Sequence, residues 1–62
     1  MKNFWLNRFR QGKRVRYKGA DGTLKDKQGC IISVQGKWIE VKFEFPGKTQ
    51  NCTVEKENLE IL

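Results

Sequence analysis

The sequence predicts an all-β fold, a small and strongly bent barrel of five short strands. Three observations lead to this prediction. Apolar and polar residues alternate with period two over several short runs, which is typical of strands with one buried face. Turns that contain glycine separate these runs. With 62 residues, the chain is too short to bury one face of an open sheet, whereas a closed barrel buries its inner face and leaves no free edge.

The first predicted strand starts after Gly12 and alternates two kinds of side chain. Val15 and Tyr17 face one side, and Arg14, Arg16 and Lys18 face the other. We therefore expect Val15 and Tyr17 in the core. A turn follows at residues 19–22, and the polar residues 23–28 form either a loop or a short irregular strand.

The second and third predicted strands form a hairpin around the turn at residues 35–37. In the second strand, Cys30, Ile32 and Val34 alternate with Ile31, Ser33 and Gln35. Residues 38–45 are clearer, because every second side chain is apolar. Burying that set leaves Trp38 outside among charged residues. The members of the buried set are Ile39, Val41, Phe43 and Phe45.

The last part of the chain is predicted to hold two more short strands. A turn at residues 46–48 leads to a strand at residues 50–54, and a 3₁₀ turn fits the polar residues 55–58. Leu59 and Ile61 then face inward from a final strand.

Residues 1–11 are predicted to form a short N-terminal arm, and residues 12–62 the barrel domain. The arm mixes aromatic and basic side chains and is too short for a stable isolated helix. It either packs over one end of the barrel or projects from it. Exposed, the aromatic side chains would favour association, so a dimer could form through Phe4, Trp5 and Phe9.

Positive charge is concentrated at the start of the chain. The formal net charge is +6, yet residues 1–20 contain seven Lys and Arg and no acidic residue, whereas residues 21–62 contain six Lys and seven acidic residues. Such a block is typical of proteins that bind nucleic acid, an anionic membrane or an acidic protein. A small domain also needs net charge for solubility.

Several function classes fit the sequence poorly. With no His, one Ser and no base beside either Cys, we expect no enzyme activity, no metal site and no cofactor. We interpret Cys30 and Cys52 as small buried apolar residues. A disulfide between them would require that their two strands be neighbours. No run is long enough for a membrane span and the start lacks the apolar stretch of a signal peptide, so we expect a cytoplasmic location.

Two stretches resemble the KOW motif of ribosomal and transcription-factor domains. They are Gly12-Lys13-Arg14-Val15-Arg16-Tyr17 and, after a loop, Gly29-Cys30-Ile31-Ile32-Ser33-Val34. The continuation through residues 38–43 and 54–61 resembles a Src-homology-3-like small barrel. The resemblance implies that fold over residues 12–62, and RNA or protein binding. The loop at residues 18–28 is longer than the KOW turn and contains two Asp.

A second resemblance is to the small β-barrel protein of photosystem I. The shared features are a basic first strand, a glycine-led second strand and a V-x-V-x-F-like third strand. This resemblance implies a basic face that docks an acidic ferredoxin-type protein. The chain lacks that family's aromatic first loop and adds an aromatic arm.

The predicted function is non-catalytic, sequence-tolerant binding of RNA or single-stranded DNA. Alternate residues on a strand lie about 6.5–7 Å apart, close to the spacing of successive phosphates. Six phosphate contacts would give a log–log salt slope of about −4 to −5. An outward Trp38 could stack on unpaired bases, or lie over the rim of the barrel under the arm. The predicted binding residues are Arg8, Arg10, Lys13, Arg14, Arg16, Lys18 and Trp38.

The alternative is a docking domain for an acidic protein, in transcription, a phage–host contact or electron transfer. The same arginines would then face carboxylates, and the exposed aromatics would anchor the contact.

Overall fold

The computed structural model describes residues 9–62, and it is all-β. Five strands and one 3₁₀ turn occur in chain order. Their bounds are β1 Arg14–Tyr17, β2 Gln28–Gln35, β3 Trp38–Phe45, β4 Lys48–Glu55, the 3₁₀ turn Lys56–Asn58 and β5 Leu59–Ile61. The prediction of five strands with a 3₁₀ turn before the last one is confirmed, and β2 and β4 each begin two residues earlier than predicted.

The strands form one antiparallel sheet in the order β4-β3-β2-β1-β5. Val15 of β1 lies opposite Gly29 of β2 and Ile61 of β5. The predicted closure of the sheet is not observed, since β4 and β5 are its two edges and are not paired with each other within residues 9–62. β5 has only three residues, so it offers only a short edge for pairing with β4. The order and the 3₁₀ turn are consistent with a Src-homology-3-like small β fold.

The core consists of inward side chains from all five strands and of Leu24 from the loop between β1 and β2. Val15 and Tyr17 are buried as predicted, at 0% and 4% exposure. The edge of Tyr17 meets the ring of Phe43 with the centroids 6.2 Å apart, a geometry that favours aromatic pairs. The other buried apolar residues are Leu24, Ile31, Ile39, Val41, Phe43, Val54 and Leu59.

β2 changes faces partway along its length. Ile31 points into the core, and a register shift with β3 lies between Ile31 and Ser33. A bulge of this kind bends the strand and increases its twist. It also explains why both alternating sets of β2 contain apolar residues.

The loop between β1 and β2 contributes to the core, which the polar sequence of residues 23–28 did not predict. Leu24 is buried, and its N–H donates to the carbonyl of Asp21 at 3.1 Å. Asp26 adopts a left-handed φ of 60° in the same turn. The loop therefore folds back over one end of the sheet.

Residues at the start of the described chain are attached to the sheet. Phe9 packs against the core, and the N–H of Gly12 donates to the carbonyl of Ile31 at 2.9 Å. The rest of the predicted arm, including Phe4, Trp5 and Arg8, lies outside the described residues.

Candidate functional site

The arginines of β1 point outward, because they alternate with Val15 and Tyr17. Arg14 reaches diagonally across β2 to Glu44 of β3, and its two terminal nitrogens donate to the two carboxylate oxygens at 2.7 and 3.3 Å. The same guanidinium donates to Gln28 at 3.3 Å and contacts the sulfur of Cys30 at 3.6 Å. Arg14 thus already holds a carboxylate in the forked geometry that arginine would use for a phosphate.

Arg16 is also paired with an acid, in this case through one nitrogen and one carboxylate oxygen. It lies opposite Glu60 of β5, and the two side chains form a hydrogen-bonded ion pair. Both partners remain substantially exposed to solvent. Ion pairs of this kind contribute little to stability.

The contact with Arg14 also affects the titration of Glu44. The pKa of Glu44 is lowered from its ordinary value, first by the hydrogen bond from Arg14 and then by the charge of Arg14. The pKa of Arg14 is raised, chiefly by the hydrogen bond to Glu44. Both groups are therefore fully charged near neutral pH.

The outer face of the sheet is consequently not a basic surface. Among its charged side chains, carboxylates are at least as numerous as cations. They are Arg14, Arg16, Lys42, Glu40, Glu44, Glu55 and Glu60. The sequence predicted which side of β1 faces solvent, but the acids that neutralise it come from distant parts of the chain.

Trp38 is exposed on this outer face, as predicted, with 48% of its surface accessible. Lys37 Nζ lies 5.5 Å from the centre of the ring. The indole forms one wall of a shallow hollow of about 80 Å³. The other walls are polar and come from three strands: Ser33, Gln35, Glu40 and Thr53.

Trp38 and the β1 arginines do not form one site. Glu44, the partner of Arg14, lies at the other end of β3 from Trp38, six residues away. That separation corresponds to about 20 Å along an extended strand. The structure therefore separates the predicted stacking residue from the predicted phosphate-binding strand.

The other predicted cations lie around the ends of β1. Arg10 is exposed and Lys13 is half-buried. Lys18 is exposed just beyond β1, where its N–H donates to the carbonyl of Asn58 at 2.8 Å. Within residues 9–62, none of these three side chains forms an ion pair.

Two lysines that sequence reasoning missed both approach the ring of Phe45. The amino groups of Lys27 and Lys48 are 5.6 and 5.8 Å from the centre of that ring. In the described part of the chain neither is in an ion pair with an acid. Lys48 occupies an inward position of β4 opposite Phe45, so alternation alone gave no reason to select it.

The two cysteines are free. Cys30 belongs to the outer set of β2 and Cys52 to the inner set of β4, with β3 between them. Residues two strands apart are about 9.5 Å from each other, beyond the reach of a disulfide. Both side chains are half-buried rather than fully buried.

Residues 9–62 contain neither a cluster of potential metal ligands nor a helix that could cross a membrane. No group of three His, Cys, Asp or Glu side chains is arranged there to hold a metal ion. No helix in that range has the length and apolar character needed to cross a membrane.

No protein-family model matches the chain, and neither does any curated protein.

Proposed function

We propose that this protein is a non-catalytic module that binds single-stranded nucleic acid with little sequence preference. The observation that carries the proposal is the exposure of Trp38, a large flat ring on the outer face beside the amino group of Lys37. Every base has a π-face, so stacking on an exposed indole tolerates sequence. The polar walls of the adjoining hollow supply hydrogen-bonding groups for the edge of a stacked base.

Unpaired cations supply the attraction for phosphates. All seven acidic residues of the chain lie within residues 21–62, and the ion pairs among residues 9–62 use only Arg14, Arg16 and Lys37 as cations. The remaining cations of that part of the chain have no carboxylate partner and can contact phosphate without breaking an existing pair. They are Arg10, Lys13, Lys18, Lys25, Lys27, Lys42, Lys48 and Lys56.

The β1 arginines take part only if they exchange carboxylate for phosphate. Their ion pairs are exposed, and exposed pairs are weak enough to be exchanged. The order of the strands and the basic first strand are compatible with a Src-homology-3-like fold of the KOW type, a fold that would favour RNA binding.

Fluorescence anisotropy tests the proposal with three labelled probes: single-stranded RNA, single-stranded DNA and a DNA duplex. We expect tighter binding to the single strands, with a salt slope that counts phosphate contacts. About four contacts give a slope near −3 and roughly a fifty-fold loss between 50 and 200 mM salt. A slope of about −4 to −5 would mean about six phosphate contacts, and loss of slope in Arg14→Gln or Arg16→Gln would show that an arginine supplies one of them.

Trp38→Ala, with Trp38→Phe as its matched control, separates stacking from charge. We expect Trp38→Ala to weaken single-strand binding by about 1–3 kcal/mol while Trp38→Phe retains most of it. Duplex binding should change little in either variant. If all three probes fail to bind at 50 mM salt, the proposal is wrong, and the cations are better assigned to an acidic protein partner.

A further inference from the structure

β4 forms one edge of the sheet, and its pairing with β3 fixes which backbone groups face that edge. The two-residue turn at residues 46–47 makes Phe45 and Lys48 a hydrogen-bonded pair, and bonded pairs recur at every second position. The N–H of Lys56 donates to the carbonyl of Lys37 at 2.8 Å, which continues the same pattern. The intervening residues of β4 therefore direct their N–H and C=O groups away from β3.

The residues that present this free edge are Thr49, Asn51 and Thr53. All three are exposed, and within residues 9–62 their free backbone groups have no backbone partner. The segment 49–53 contains no charge and no Pro, and the register of β4 with β3 is unbroken along its whole length. Bulges, prolines and charges are the features that normally protect an edge strand from pairing.

We propose that two copies of this chain associate by antiparallel pairing of β4 with β4, with Asn51 on the two-fold axis. Asn51 then lies opposite Asn51 of the second copy, and Thr49 lies opposite Thr53. Each of these three opposed pairs exchanges two backbone hydrogen bonds. Every outward backbone group of the segment is satisfied in the resulting ten-stranded sheet.

A second copy fits this edge because the three outward residues, Thr49, Asn51 and Thr53, are symmetric about Asn51. In that set like residues face each other, and Thr–Thr pairs are favourable across strands. On the inner side of the strand Gln50 lies opposite Cys52 of the second copy, and neither is charged. The arrangement places Lys48 opposite Val54 of the second copy and brings no like charges opposite each other. A two-fold dimer requires this kind of self-complementary surface.

Sedimentation velocity of the full chain without nucleic acid tests the proposal. An interface of one short strand is small, so we expect a dimer at protein concentrations between about 10 μM and 1 mM. Asn51→Pro removes an N–H that the monomer does not use and should abolish the dimer. Asn51→Thr keeps that N–H and is the matched control, which should still dimerise.

Far-UV circular dichroism shows whether Asn51→Pro folds. If it does not, Asn51→Lys provides the same test, because it places two ammonium groups opposite each other on the axis and leaves the exposed monomer surface intact. A wild-type chain that stays monomeric at 1 mM overturns the proposal. A dimer that persists in both Asn51→Pro and Asn51→Lys also overturns the proposal. If Trp5→Ala then abolishes that dimer, association is assigned to residues 1–11 instead.

Discussion

The sequence predicted two binding regions on the outer face of the sheet, the arginines of β1 and Trp38. The two regions differ in whether their side chains already have partners within the protein. On β1, Arg14 and Arg16 already hold carboxylates of Glu44 and Glu60. At the start of β3, Trp38 stays exposed beside a polar hollow. Alternation along one strand predicts which side chains face solvent. It does not predict which partners neighbouring strands bring beside them, and that decides whether a residue is free to bind.

The largest effect, on the free energy of unfolding, is expected from a substitution that disrupts the packing of β2 against β3, since the sheet positions both regions. Gly29 lies between Val15 of β1 and Phe43 of β3. A Cβ at position 29 would collide with the backbone of Lys42, 2.8 Å from its carbonyl carbon. Backbone cannot move aside cheaply, so Gly29→Ala should lower the free energy of unfolding by about 3 kcal/mol, measured by urea denaturation.

Gly22→Ala is the matched control for this substitution. Its Cβ would meet nothing within 4 Å, so we expect a change of less than about 0.5 kcal/mol. Equal effects at the two glycines would show that β2 and β3 do not approach as closely as described.

The strands were largely predictable because they depend on local patterns, whereas the predicted closure of the sheet was wrong. The period-two alternation at Val15, Tyr17 and residues 38–45 predicted strands and their buried faces correctly. The bulge after Ile31 and the burial of Leu24 were not predictable in this way, since both depend on contacts between separate segments.

The sequence predicted the orientation of individual residues of the candidate site but not the contacts between them. The outward orientation of Arg14 and the exposure of Trp38 follow from alternation along their own strands. The pairing of Arg14 with Glu44, 30 positions away, depends on the register of three strands. The same holds for Lys27 and Lys48, which meet at Phe45 from different strand ends.

A smaller effect, on the affinity for single-stranded DNA, is expected when the β1 arginines lose their carboxylate partners. Glu44→Gln and Glu60→Gln each remove a carboxylate that now occupies an arginine. If the arginines contact phosphate, each variant should bind single-stranded DNA about threefold tighter at 50 mM salt, because an exposed ion pair no longer competes. Anisotropy titration measures the change.

Glu57→Gln is the charge-matched control, since Glu57 forms no ion pair within residues 9–62. An equal gain in Glu57→Gln would mean that only net charge matters and that β1 does not touch the nucleic acid.

The smallest expected effect is a pH dependence of the Tm that arises from the Arg14–Glu44 pair. Because Arg14 lowers the pKa of Glu44 in the folded protein, the unfolded chain binds a proton at higher pH than the folded protein does. The contribution of the pair is therefore complete above the ordinary Glu pKa of about 4.3 and is lost as the pH falls through the lowered value. The difference in Tm between wild type and Glu44→Gln should be constant from pH 7 to about pH 5 and shrink below that. In an Arg14→Gln background the same difference should no longer depend on pH, and a dependence that persists there would assign the shift to a group other than Arg14.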